Sequence, residues 1–213
     1  MAAGKKTSKK PLSESHKTRL INNGIPEDLI EAAGIFSVTA EEIFQLTGVK
    51  VHSTGIAFPY PGESDGYLRV RLDQPLGDMK YVAPCGAGCR LYVPPGAKLD
   101  APLVVITEGE KKALVAASRG INCVAVAGID AWREKGPLGE KQTPEAGLLG
   151  RLKKDWSVQT VVLVYDSDIT QAHKRWGAFP ALAEILYSLG TETVKVFSLP
   201  SYLRCKHFCP LGG

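Results

Sequence analysis

Glu108, Asp166 and Asp168 are the residues of this chain whose types and spacing can do chemistry. Glu108 ends the apolar run Leu103-Val104-Val105-Ile106-Thr107, and Asp166-Ser167-Asp168 follows the run Val161-Val162-Leu163-Val164-Tyr165. Two aspartates two residues apart leave an extended segment on the same face and can share a cation. Clustered carboxylates repel one another unless a cation neutralises them, and an all-oxygen ligand set suits Mg²⁺ or Mn²⁺. A glutamate arriving from a second strand end can complete such a site or act as general base toward an attacking hydroxyl. Lys111 and Lys112 stand in the first turn of the helix that follows Glu108-Gly109, where backbone N–H groups already favour anions; Lys111 is placed to hold a phosphate, with Lys112 beside it. The chemistry expected of this set is metal-assisted phosphoryl transfer. Each element also has a plainer reading: a carboxylate opening a helix is usually a capping device, and Asp-x-Asp after a strand is often a turn.

The elements that must position these groups follow from pattern. Residues 99–200 alternate strand and helix: strand 103–107, helix 110–119, strand 122–127 ending at Gly128, a helix near 145–155, strand 160–165, helix 176–189 and strand 193–199. Four apolar, β-branched runs separated by helices predict a mostly parallel, four-stranded, Rossmann-like α/β sheet. In such a sheet the carboxyl ends of the strands share one edge, where ligands bind. Asp130 and Trp132 follow the second strand on that edge, where Trp132 either stacks on a base or packs its own loop. Lys174 and Arg175, beyond the acid pair, either contact phosphate or form a solvated helix entry. Tyr165 ends a core strand and reads as packing rather than as a nucleophile.

Ahead of this lies a small α+β region, residues 13–98. Ser13 caps a short helix through about Ile21, Pro26 is expected as the first helical residue of the next, and Thr39 with Glu42 forms a capping box for a third helix ending at Gly48. His16 is expected on the surface of the first helix. Ile56 to Tyr60 and Tyr67 to Leu72 read as a hairpin, and Met79 to Ala83 with Arg90 to Val93 as a second hairpin across a glycine-rich loop. Pro94-Pro95-Gly96 then breaks the pattern.

Net charge is +4, from 26 basic and 22 acidic residues, but Lys5, Lys6, Lys9 and Lys10 account for the whole excess. Residues 1–12 read as a disordered basic tail, so attraction to a phosphate backbone rests on that tail or on local patches. No apolar run approaches the roughly 18 residues of a membrane span, and no signal core follows the lysines, so a cytoplasmic location is expected. Five cysteines do not suggest a disulfide scaffold. Cys85 and Cys89, with Cys205, His207 and Cys209, invite a zinc reading, but three-residue gaps in distant segments argue against it. Cys123 reads as a small core residue, His52 and His173 have no partner at ligand spacing, and no Walker-type ATPase loop is present.

The order strand-Glu-Gly, helix, strand-Gly, helix, strand-Asp-x-Asp resembles the TOPRIM superfamily of primases, topoisomerases and certain nucleases over about residues 100–199. That resemblance implies Mg²⁺ on Asp166 and Asp168 and acid/base work or a share of the metal for Glu108. The chain is most similar to the uncharacterised TOPRIM-like, primase-type domain of plasmid, phage and integrative-element replication proteins, through Thr107-Glu108-Gly109-Glu110-Lys111-Lys112-Ala113, Gly128-Ile129-Asp130-Ala131-Trp132, and Asp166-Ser167-Asp168 with Lys174. The lead-in segments Leu29 to Gly34, Ala57-Phe58-Pro59-Tyr60-Pro61 and Arg90-Leu91-Tyr92-Val93-Pro94-Pro95 share the likeness. It implies partners among DNA or RNA and nucleotides, with a helicase or primase module encoded nearby. Residues 201–213 depart from the continuation seen in such relatives and read as a truncated or frameshifted tail. The expected function is Mg²⁺-dependent, primase-like phosphoryl transfer on nucleic acid in mobile-element DNA replication; the alternatives are a nuclease using the same acids and a non-catalytic nucleic-acid-binding or scaffold module.

Overall fold

The computed structural model describes residues 11–88, 90–128, 156–165 and 178–198. The chain forms two compact units, Met1–Asn22 with Pro26–Ala87, and Asn23–Ile25 with Gly88–Gly213.

In the first unit the order is α1 (Glu14–Asn22), α2 (Glu27–Ala32), β1 (Phe36–Val38), α3 (Ala40–Thr47), β2 (Gly55–Pro59), β3 (Leu68–Leu76) and β4 (Met79–Val82). Local chemistry sets the helix ends. The Ser13 hydroxyl oxygen accepts from the His16 N–H at 3.3 Å. Glu42 N–H donates to Thr39 Oγ1 while Thr39 N–H donates to the Glu42 carboxylate, closing the capping box, and Gly48 at φ 74° ends α3 in the left-handed conformation. Pro26 departs from expectation by one position: its ψ of 154° is extended, so it is the N-cap of α2 and Glu27 is the first helical residue.

The four strands form an antiparallel sheet in the order β1-β2-β3-β4. Two features correct the sequence reading. β1, three residues long, was not anticipated because so short a run carries no period. β4 pairs with β3, not with Arg90–Val93, through Leu76↔Met79 around Gly77 (φ 59°) and Asp78. Gly-Asp between two strand arms is itself a hairpin signal, and it outweighs the longer glycine-rich loop downstream. One sheet face packs Val38, Ala57, Leu68, Val70, Leu72 and Val82 around Ile43 of α3.

His16 is the largest surprise in this unit. Far from lying on the surface, it is buried, its Nδ1 2.8 Å from Ser37 Oγ and its Nε2 3.0 Å from Asp73 Oδ2. Arg19 pairs with the other Asp73 oxygen at 2.7 Å and the Thr54 hydroxyl donates to Asp73 at 2.5 Å. A polar ring is stable inside when such partners satisfy it, and these lie 21 and 57 residues away in sequence, beyond any local pattern. Burial pushes the Asp73 carboxyl up, but hydrogen bonds from Thr54, Arg19 and His16 outweigh it and hold the group below its usual range. A depressed carboxylate stabilises the fold above its unfolded pKa of about 4, and that contribution disappears as pH falls through the folded value. Asp73→Asn is therefore expected to lower stability at pH 7 by about 1–3 kcal/mol. Urea denaturation at pH 7 and pH 3 checks this, with the gap between variant and wild type shrinking at the lower pH.

Gly55 answers a different constraint. A Cβ there would lie 2.6 Å from the Arg71 carbonyl oxygen and 2.8 Å from Val70 Cγ1, so β2 and β3 approach too closely for any side chain. Gly55→Ala is expected to cost about 1–3 kcal/mol, read as a lower thermal midpoint.

The second unit holds β5 (Leu103–Glu108), α4 (Glu110–Ser118), β6 (Cys123–Val126), β7 (Thr160–Tyr165), α5 (Ala178–Ser188) and β8 (Thr193–Ser198). Its four strands are all parallel, in the order β6-β5-β7-β8. The expected α/β fold with a four-stranded parallel sheet is thus present, beside the antiparallel sheet of the first unit. One face packs Val104, Ile106, Val124, Val161 and Leu163 against Leu182, Ile185 and Leu186 of α5, with Trp156 donating from Nε1 to Thr191 Oγ1 at 3.0 Å. Instead of forming a hairpin arm, Tyr92 makes an antiparallel bridge to Ala125, with N–H···O distances of 2.8 and 2.9 Å. Cys123 is buried, and burial pushes its thiol up to about 12. The helix expected near 145–155 lies outside the described residues. Among the described residues no helix is long and apolar enough to cross a membrane.

Candidate functional site

Glu108 is the last residue of β5 and is half-buried. Gly109 follows at φ 85°, and its N–H donates to the Val126 carbonyl of the neighbouring strand at 2.9 Å. A Cβ at Gly109 would meet nothing within 4 Å, so glycine is required there by backbone conformation, not by crowding. This left-handed turn converts strand into helix within one residue and leaves Glu108 at the carboxyl edge of the sheet.

β7 lies beside β5 in parallel register from Leu103↔Thr160 to Thr107↔Val164. Glu108 is therefore level with Tyr165, on strands about 4.8 Å apart. Tyr165 is buried, with its ring edge-to-face against Phe179 at 5.2 Å, which is packing. In sequence the next residue is Asp166. Asp166 and Asp168 themselves, with Asp130, Trp132, Lys174 and Arg175, lie outside the described residues, as do Cys89, Cys205, His207 and Cys209. Among the described residues, no group of three or more His, Cys, Asp or Glu side chains could hold a metal ion.

On α4, Lys111 is half-buried, its Nζ 3.5 Å from Asn23 Oδ1, a long contact, while Lys112 is exposed. Both stand in the first turn, as expected. What sequence reasoning missed is Glu110, which is fully buried. It shares the inward face of α4 with Ala113 and Leu114, and that i, i+3, i+4 spacing was legible; an acid opening a helix is simply read as solvated by default. Near it lies Tyr92, also fully buried, whose hydroxyl is pushed well up by burial and by the Glu110 charge.

With this geometry in hand, comparison with known proteins gives three findings. Residues 97–202 match the family described as a domain of unknown function (DUF3854). No curated protein matches the chain. Among solved structures, the chain is similar to the crystal structure of the Aquifex aeolicus primase (zinc binding and RNA polymerase domains), with a TM-score of 0.58 and 18% sequence identity over 88% of this chain and 50% of that one. The chain thus spans about half the length of the primase chain it matches, and the likeness is one of fold. The architecture is primase-like.

Proposed function

We propose that the parallel-sheet unit is a TOPRIM-like domain that carries out Mg²⁺-dependent, or Mn²⁺-dependent, phosphoryl transfer on nucleic acid, with primer synthesis as its reaction. The observation that supports this most is the β5–β7 register, which sets the terminus of one acid-bearing strand level with the residue preceding Asp166-Ser167-Asp168. The donor set fits a hard divalent cation, because carboxylate oxygens at adjacent strand ends suit Mg²⁺ and soft thiolates are not part of it. Asp166 and Asp168 would hold the cation, and Glu108 would either share it or act as the base. When bound, the cation would neutralise charge on the transferring phosphoryl group.

The chain's own residues supply the rest. Glu108, half-buried at the strand edge, either shares that cation or accepts the proton of the attacking hydroxyl. Lys111 and Lys112, in the first turn of α4, draw the phosphate toward that edge. Asp130, Trp132 and Lys174 belong to the same proposal as contacts to the strand or nucleotide. In this reading the protein serves DNA replication of a mobile element, such as a plasmid or phage, beside a helicase or primase module encoded nearby.

Incubating the full chain with labelled single strands and Mg²⁺, with and without nucleoside triphosphates, tests the assignment. New oligonucleotides that require triphosphates support synthesis. Strand shortening without triphosphates indicates a nuclease, and binding with no product under either condition indicates a non-catalytic module.

A further inference from the structure

The antiparallel sheet of the first unit carries a surface that the phosphoryl-transfer reading leaves unused. Arg69 of β3 lies with its guanidinium carbon 4.7 Å from the centroid of the Tyr81 ring on β4. Arg71 is directly across the ladder from Tyr81, so the three side chains share one sheet face. All three are half-exposed, while their partners on β2, Phe58 beside Arg69 and Ile56 beside Arg71, are buried.

Arg69 and Arg71 lie on this face of β3, and α1 reaches the same face, its His16 and Arg19 contacting Asp73. Asp73, the acid nearest Arg71 along β3, does not cancel it: its oxygens are taken by Arg19, His16 and Thr54. An aromatic ring capped by a guanidinium offers a flat platform on which a base can stack, and a second arginine two residues along the strand can take a phosphate.

We propose that the Arg69–Tyr81–Arg71 face binds single-stranded nucleic acid, with a base stacked on the Arg69–Tyr81 pair and Arg71 on the adjoining phosphate. This rests on the nucleic-acid reading above but not on its chemistry. A duplex fits the face less well, because its bases are already stacked and only its phosphates are offered.

Fluorescence anisotropy of the full chain with a fluorescein-labelled 15-residue oligothymidylate, across a salt series, is the test. Tyr81→Ala is expected to weaken binding roughly tenfold and Tyr81→Phe to retain it. Arg71→Ala should reduce the slope of log affinity against log salt by about 0.7, the value for one phosphate on a single strand, whereas Lys50→Ala, which removes a charge from the same unit away from this face, should not. Circular dichroism of each variant separates loss of binding from loss of fold; if Tyr81→Ala fails to fold, the Arg71→Ala slope decides alone. Wild-type binding that is indifferent to both Tyr81→Ala and Arg71→Ala overturns this surface and leaves the proposed chemistry standing. Equal affinity for duplex and single strand overturns the stacking platform. No binding to any nucleic acid at low salt overturns both this surface and the function it rests on.

Discussion

Glu108→Gln is expected to slow the proposed phosphoryl transfer on nucleic acid by about 10²–10⁴-fold while leaving the fold unchanged. Glutamine keeps the shape of the side chain and removes its charge and its ability to take a proton. β5 is held by its ladders to β6 and β7, and the turn after it by the Gly109 N–H on Val126. The measurement is product formation per unit time at several Mg²⁺ concentrations, with circular dichroism to confirm folding. A deficit that excess Mg²⁺ repairs assigns Glu108 to metal binding, and one that persists assigns it to proton transfer. A variant that works within a few-fold of wild type at all concentrations removes Glu108 from the chemistry.

The second large effect is on stability. Leu163 is fully buried at the centre of the parallel sheet, between β5 and β8, in the cluster that holds β7 against α5. Leu163→Ala is expected to cost about 2–5 kcal/mol, the lost transfer energy plus the cavity left behind. Phe197→Ala, on the edge strand at 53% exposure, should stay within about 0.5 kcal/mol. All three tryptophans, Trp132, Trp156 and Trp176, belong to the second unit, so urea denaturation followed by tryptophan fluorescence reports on it directly. A Leu163→Ala transition that coincides with wild type would mean the strand does not depend on this cluster.

The parallel sheet was legible because its strands are buried and β-branched, and their runs differ from the helices between them in both period and length. Its strand boundaries came within one residue at β5, β6, β7 and β8. The antiparallel sheet was read less well. β1 has too few residues to show alternation, and the partner of β4 was misassigned because two glycine-containing turns competed and only tertiary packing chooses between them. Polar burial was the least legible. His16 depends on Ser37 and Asp73, and Glu110 sits beneath a helix start where acids are normally solvated. At the candidate site, Glu108, Lys111 and Lys112 were placed correctly on their elements, since a strand-Glu-Gly-helix junction is a local feature. Asp166 and Asp168 lie outside the described residues.

The ladder between β5 and β7 acts as a ruler for the two strand ends it joins. Loops and helices lying between these strands in sequence can lengthen or shrink without displacing either terminus, because the hydrogen bonds fix one strand against the other residue by residue. Deleting a single residue inside β7 is a different event. It would draw the strand's end back by about 3.3 Å and turn every side chain past the deletion to the opposite face, so tolerance to length change should stop abruptly where the ladder begins.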